Sequence, residues 1–592
     1  ALPAPSGPAL AGQGAAVAPR TKTEQLVATA YQEALALPRL SVLDDFFALG
    51  GHSLLVAQMT ARLSRTLGRT VPMRAGFEHT TVAALAAWID GASDRNPGRS
   101  AEPRPEPPRI PRRTDAGPAP LSLMQQRVWY LEQLQLGRTV FNTPSAHRLH
   151  GPIDLAALGR AFAQMVRRQP VMRTQIGTIG DAPAQIVVDE IDASIPLEDL
   201  SQLPADQREP QLARRLDIES AQPFDLTRAP LFRVRLFRMS PELHVLYFMA
   251  HHIIWDGWSF DLFYEEMAAL YATELAGKPD DRPPLPVTYG DFSAWHRDWL
   301  TGPELVRQVE HWRQKLAGAP DALDLPTDHP RPPIASGDGA TEWLAVPAST
   351  TAVLRTIGLG EGATLYMTLL AAWTALLHQL TRQPELVIGT PVRGRSVPEV
   401  EQVMGFFVNA LPLRLRIDPD ASFLELLRRV RAETVEAFDA QDVPFEHLVR
   451  VLDKKRDESR FPIYQAFFSY QDVRQRPMRW GNLAHERQHV FQPSAAQDIA
   501  LWFVDTAEGV GGGLNYATDI LEPATVQRWR QRFIALIDAI AADPTRSVRQ
   551  LLEITPEERA QLAAWNRTER PLAGDATLAA MLAPLAQHGD RV

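Results

Sequence analysis

The 592-residue chain has no cysteine. That excludes disulfides, thiolate metal sites and a cysteine nucleophile, and it fits a reducing, cytoplasmic setting. It also lacks a strong charge of either sign: 61 Lys and Arg against 70 Asp and Glu leave a net −9, with none of the basic field that nucleic acid binding needs. Nucleic acid is therefore not an expected partner. No apolar run reaches membrane-span length, and neither is a membrane. The nearest, Leu365 to Leu380, is broken by Thr368, Trp373, Thr374, His378 and Gln379 and reads as a buried helix. The start, Ala1-Leu2-Pro3-Ala4-Pro5, has no methionine, charged n-region or cleavage site, which suggests a piece cut from something longer. What is present is ordinary for soluble globular protein, 45% hydrophobic and 22% charged, at a length that calls for more than one core.

Composition shifts most sharply between Gly91 and Pro120, where eight prolines from Pro97 to Pro120 alternate with arginines and few apolar residues. Such a stretch buries too little to fold and favours extended polyproline geometry, so residues 91–119 are expected to be a linker. Ahead of it, over residues 21–90, Leu26, Ala30 and Ala34, then Leu55, Met59 and Leu63, recur at helical spacing, predicting a small helical bundle. After it, residues 120–552 mix strand-like runs with amphipathic helices in the manner of an α/β protein. Phe232, Val234 and Leu236 alternate with Arg233 and Arg235, and Leu413, Leu415 and Ile417 with Arg414 and Arg416, giving each strand one buried face. Some 430 residues exceed one compact core, so two subdomains are expected, 120–290 and 291–552, with a cleft between them.

Two short motifs carry chemistry. Residues 251–257 read His-His-Ile-Ile-Trp-Asp-Gly directly after the apolar run Val245 to Ala250, so a buried strand delivers two histidines into a turn. That combines rigidity with access, and imidazole exchanges protons near neutral pH. Adjacent strand residues face opposite ways and no further ligand cluster is apparent, so no metal is expected. Earlier, Asp44 to Leu55 reads Asp-Asp-Phe-Phe-Ala-Leu-Gly-Gly-His-Ser-Leu-Leu. The paired glycines break the chain and Ser53 opens the next helix, where serine is an ordinary cap.

The longer string Phe-Phe-X-Leu-Gly-Gly-His-Ser-Leu resembles the core motif of peptidyl carrier domains of nonribosomal peptide synthetases. The resemblance implies a four-helix carrier over 21–90 with 4'-phosphopantetheine covalently on Ser53, installed by a phosphopantetheinyl transferase. A helix N-terminus, with its free N–H groups, suits a phosphodiester there. The cofactor then brings the thiol that the chain lacks.

Residues 120–552 resemble the condensation domain of the same synthetases, through matches in the family's order. These are Ser122 to Leu131, a partial match at Arg167 to Thr174, Tyr289 to Trp295, Gly405 to Leu413, Gln441 to Glu446 and Arg456 to Pro462. The implied fold is two chloramphenicol-acetyltransferase-like subdomains in a V around a tunnel. The implied reaction is amide formation, in which the amine of one carrier-bound aminoacyl group attacks the thioester of another carrier-bound aminoacyl or peptidyl group. Catalysis there needs alignment, a neutral amine and a stabilised oxyanion. The resemblance puts His252 against the attacking amine, as base or hydrogen-bond acceptor. His251 is expected to pack or hydrogen-bond beside it. Asp256 is a candidate for a catalytic role but reads better as a brace of the turn, bonded to local backbone or to an arginine of Pro391 to Arg395, with Arg395 the better choice. Gly257 allows close backbone approach, and its N–H is available to an oxyanion.

Gly50-Gly51-His52-Ser53 resembles carriers that serve condensation rather than epimerisation domains, and Gln125-Gln126-Arg127-Val128-Trp129 resembles the L-donor type. Residues 1–20 resemble the tail after an adenylation domain, and Trp565-Asn566-Arg567-Thr568, within 553–592, the lead into another. The carrier would thus be donor to its own condensation domain, with the acceptor carrier downstream. Other readings are a non-catalytic module that docks carriers or recruits a tailoring enzyme, and a domain forming esters or accepting a small amine.

Overall fold

The computed structural model describes residues 17–569 except 36, 52, 70, 95–108, 116, 135, 136, 138, 181, 396, 453–456, 474–478, 489, 491–493, 507, 508 and 555, and also 578, 579 and 582. His52, Arg456, residues 1–16 and most of the linker lie outside these.

The N-terminal unit is four helices: α1 (Lys22–Leu35), α2 (Ser53–Leu67), α3 (Met73–Glu78) and α4 (Val82–Asp94). Leu55, Met59 and Leu63 form the buried stripe of α2, as their spacing predicts. On α1 the buried apolar residues are Val27, Ala28, Ala30, Tyr31 and Leu35, so of the Leu26, Ala30 and Ala34 set only Ala30 is fully inside. Glu24 also has little exposure on this helix and is paired with Arg20. The two glycines before α2 have different reasons. Gly50 sits at φ +99°, a backbone state costly for other residues, whereas a Cβ on Gly51 would collide with the Phe46 ring.

The larger unit is built on two six-stranded sheets, which is the two-subdomain α/β architecture expected for it. The first sheet runs, edge to edge, Arg479–Trp480, Leu483–Gln488, Asn142–His150, Leu243–His251, Phe232–Ser240 and Leu197–Asp199. The second runs Asn409–Arg416, Glu385–Val392, Ala466–Asp472, Ile499–Thr506, Gly509–Ala517 and Gly339–Pro347. The hairpin of residues 479–488 therefore leaves the C-terminal half of the chain to pair with Asn142–His150 in the first sheet. Phe232, Val234 and Leu236 are buried while Arg233 and Arg235 are partly exposed, and Leu413 and Leu415 alternate with Arg414 and Arg416 in the same way. The helix Leu365–Thr381 is the most deeply buried, with Leu365 and Met367 to Leu377 all inside. Among the described residues no helix is long and apolar enough to cross a membrane.

The small unit rests on the large one. Arg431, on the helix Phe423–Phe438, donates from Nη2 to the Phe77 carbonyl at 3.1 Å. Arg62 of α2 approaches Glu401 at 3.9 Å.

Candidate active site

The strand Leu243–His251 is central in the first sheet and hydrogen-bonds on both edges. It ends at His251, a short 3-10 turn follows at His252–Ile254, and the helix Gly257–Leu275 begins three residues later. The seven motif residues thus occupy one sharp strand-to-helix turn. It lines a cavity of about 2490 Å³ that extends to Phe47, Gly51 and Met73 of the small unit.

His252 lines that cavity, and its Nδ1 is 2.5 Å from the Trp255 carbonyl oxygen. A carbonyl only accepts, so Nδ1 carries the proton and Nε2 is left with its lone pair. Burial pushes the His252 pKa below the ordinary imidazole value, against the opposing pull of the Trp255 bond and Asp256. The ring is therefore neutral at pH 7. Phe406 packs edge-on against it at 4.8 Å.

His251 is buried and turned the other way. Its Nδ1 accepts from the Ile253 N–H at 3.2 Å, so Nε2 carries the hydrogen that faces Glu132 Oε1 at 3.4 Å. With both nitrogens engaged, it holds the turn.

Asp256 caps the helix Gly257–Leu275, accepting from the Ser259 N–H at 2.8 Å. The same carboxylate takes the Ser259 hydroxyl at 2.8 Å, the Phe407 N–H at 3.0 Å and two guanidinium bonds from Arg395, at 2.8 and 3.3 Å. Burial alone would push its pKa up. The Arg395 charge and these hydrogen bonds outweigh it and hold the carboxyl below the usual range. Arg395 also donates to the Val403 carbonyl and lies over the Phe407 ring.

Gly257 is the first residue of its helix, so its N–H has no acceptor within that helix. A Cβ there would approach Gln471 Nε2 to 2.9 Å. Ser53 is the first residue of α2, one position inside the expected cap, and Gly51, two residues before it, lines the cavity.

The separated motifs pack around this turn and the cavity it lines. Gln125 donates to the Ile253 carbonyl at 2.8 Å, and Gln169 accepts from the Met404 N–H at 3.1 Å. The Ser122 hydroxyl bonds Tyr289 at 2.9 Å, and Tyr289 donates to the Phe406 carbonyl at 2.6 Å. Asn409 donates to the Gln441 and Val443 carbonyls. Sequence reasoning missed Ser259, whose hydroxyl donates to Asp256 at 2.8 Å and accepts the Gly405 N–H at 2.9 Å, joining the two. A serine three residues after a helix-capping aspartate was the available signal.

Comparison with known proteins bears on this site. Residues 115–563 match the condensation domain family and residues 25–89 the phosphopantetheine attachment site, which indicates covalently attached 4'-phosphopantetheine. Linear gramicidin synthase subunits C and B of Brevibacillus parabrevis are 36% and 37% identical over 99% and 96% of the chain, which spans 8% and 11% of their lengths. Among solved structures, the X-domain from teicoplanin biosynthesis is 28% identical with a TM-score of 0.66, covering 76% of this chain and 100% of that one. The first condensation domain of the calcium-dependent antibiotic synthetase, at 22% identity and TM-score 0.66 over 74% of this chain and 100% of that one, shares the fold.

Proposed function

This chain belongs to the condensation domain family, and on that footing we propose that it forms peptide bonds. The acyl group held as a thioester on the chain's own carrier unit is the donor. An aminoacyl group on a downstream carrier is the acceptor. The acceptor nitrogen bonds to the thioester carbonyl carbon, the carbon–sulfur bond breaks, and the nitrogen's proton ends on the departing thiolate. The observation that carries this reading is the single cavity running from Gly51 of the carrier unit to His252.

Ser53 is the attachment point. Its place at the start of α2, two residues after a glycine that lines the cavity, fits a phosphodiester at a helix N-terminus. When bound, 4'-phosphopantetheine supplies the thiol on which acyl groups are held. The neutral His252 offers Nε2 to the attacking amine, fixing its approach. A free α-amine has a pKa near ~8 and is partly neutral already, so positioning outweighs proton abstraction. The Gly257 N–H, at the positive end of its helix, receives the developing oxyanion. Asp256 and Arg395 hold the turn in place, and His251 anchors the strand end. The opening motif's resemblance supports an L-configured donor. Adenylation domains on either side in a longer chain would supply the activated amino acids, and a phosphopantetheinyl transferase the arm.

The likeness to the teicoplanin X-domain, also solved in complex with OxyB, favours a second reading, a module that docks a partner enzyme without catalysis. The test of the first is intact-mass measurement after incubation with a phosphopantetheinyl transferase and coenzyme A. A gain of about 340 Da on the parent and none on Ser53→Ala supports the carrier assignment. No gain on the parent would defeat it.

A further inference from the structure

Arg393 stands two residues before Arg395 and does something different. Gly394, at φ +65°, turns the chain between them, and a Cβ there would collide with the Phe407 carbonyl. Arg395 is sent to Asp256, whereas Arg393 lines the cavity with its guanidinium stacked on the Trp258 ring, 3.1 Å from the ring centre. Its Nε and Nη2 are buried and have no hydrogen-bond partner among the described residues. Of the nearby carboxylates, Asp256 is committed to Arg395, and Glu401 faces Arg62 at 3.9 Å. Burial disfavours the charged form and Arg395 adds to this, while Glu401, Asp256 and Asp261 only partly offset it. A buried donor without an acceptor is destabilising, more so when charged. A planar guanidinium held flat on an indole presents its fork to one kind of partner, a bidentate oxyanion.

The position indicates where that oxyanion comes from. Trp258 donates from Nε1 to the Glu401 carbonyl at 3.2 Å, and the Glu401 side chain faces Arg62 on α2, the helix that Ser53 opens. Arg393 therefore lies between the segment that meets the carrier and the turn that holds His252. We propose that Arg393 is a binding residue for an oxyanion brought into the cavity on the Ser53 arm, either the arm's phosphodiester or a carboxylate of the donor residue. This rests on the carrier assignment of Ser53.

The test uses the holo chain as wild type, Arg393→Gln and Arg393→Lys. One sample set carries the bare arm. A second carries an aspartyl group joined to the arm through a non-hydrolysable amide and labelled with carbon-13 at its side-chain carboxyl. If the phosphodiester is the partner, its phosphorus-31 resonance moves between wild type and Arg393→Gln by more than its linewidth, and Arg393→Lys restores part of the difference. If the carboxylate is the partner, its pKa in wild type is depressed by about 1–3 units and returns to the ordinary value in Arg393→Gln. An unmoved phosphorus resonance together with an unchanged carboxyl pKa overturns the proposal. Absence of any phosphorus signal in wild type means Ser53 is not loaded, and that takes the carrier assignment and this proposal down together. The Tm of each apo chain is compared as well. This gives a fold control independent of loading.

Discussion

Arg395 and Asp256 are 139 positions apart and meet in a two-point ion pair whose side chains are 0% and 2% exposed. Asp256 also caps a helix and accepts the Phe407 N–H from the segment leading into the second sheet. One carboxylate thus joins the turn of the first sheet to a segment of the second subdomain.

Removing one partner strands the other in a dry site. Asp256→Ala is predicted to cost about 3–5 kcal/mol of unfolding free energy. Asp256→Ala with Arg395→Met, which leaves neither charge, should recover part of it. Urea titrations of the two single variants and the double variant check this as a thermodynamic cycle. Additive losses would mean that the pair is not coupled.

Stability should respond to acid through buried histidines. His296 is pushed down to about 4 by burial, and His252 is also lowered. The unfolded chain takes up these protons near pH ~6.5 and the folded chain resists. For His296 the unfolded state binds more protons between those values, so stability falls as pH falls from about 6.5 to about 4, by up to ~1.4 kcal/mol per unit, and His252 adds to it in the same direction. The urea midpoint should be level above pH 7 and decline below it, less steeply in His296→Gln. An identical slope in that variant would contradict the assignment.

Gly257 separates space from hydrogen bonding. Gly257→Ala keeps the N–H and asks only the Gln471 amide to move. Gly257→Pro removes the N–H at a helix position that tolerates proline. If that N–H receives the oxyanion, the proline variant loses about 10²–10³ in rate, as removing one oxyanion donor does elsewhere, while the alanine variant stays closer to wild type. Equal rates in the two variants would remove Gly257 from the chemistry.

Much of the fold was legible because burial imposes period on sequence. The alternation at Phe232 to Leu236 and the stripe Leu55, Met59, Leu63 stand in the structure as read, while on α1 only Ala30 of the expected set is fully inside and Glu24 is buried as well, which hydropathy scores as outside. The entry of 479–488 into the first sheet was not legible, since a hairpin's own residues do not say which edge it joins. At the site, the turn and its Asp256–Arg395 partnership follow from local chemistry. The Trp255 carbonyl that sets the His252 tautomer, the Ser259 links and the diversion of Arg393 depend on backbone direction, which side-chain identity does not reveal.

The central claim is that the cavity at His252 joins a donor acyl group to an amine. The direct test loads the holo chain with an aminoacyl donor, supplies an aminoacyl acceptor carrier, and follows the amide by intact mass on parent and His252→Ala. The account predicts product on the acceptor from the parent and a loss of about 10² or more in the variant, the scale of a lost positioned acid–base group, with donor loading unchanged. Equal product from both proteins, or none from a fully loaded parent, would contradict it.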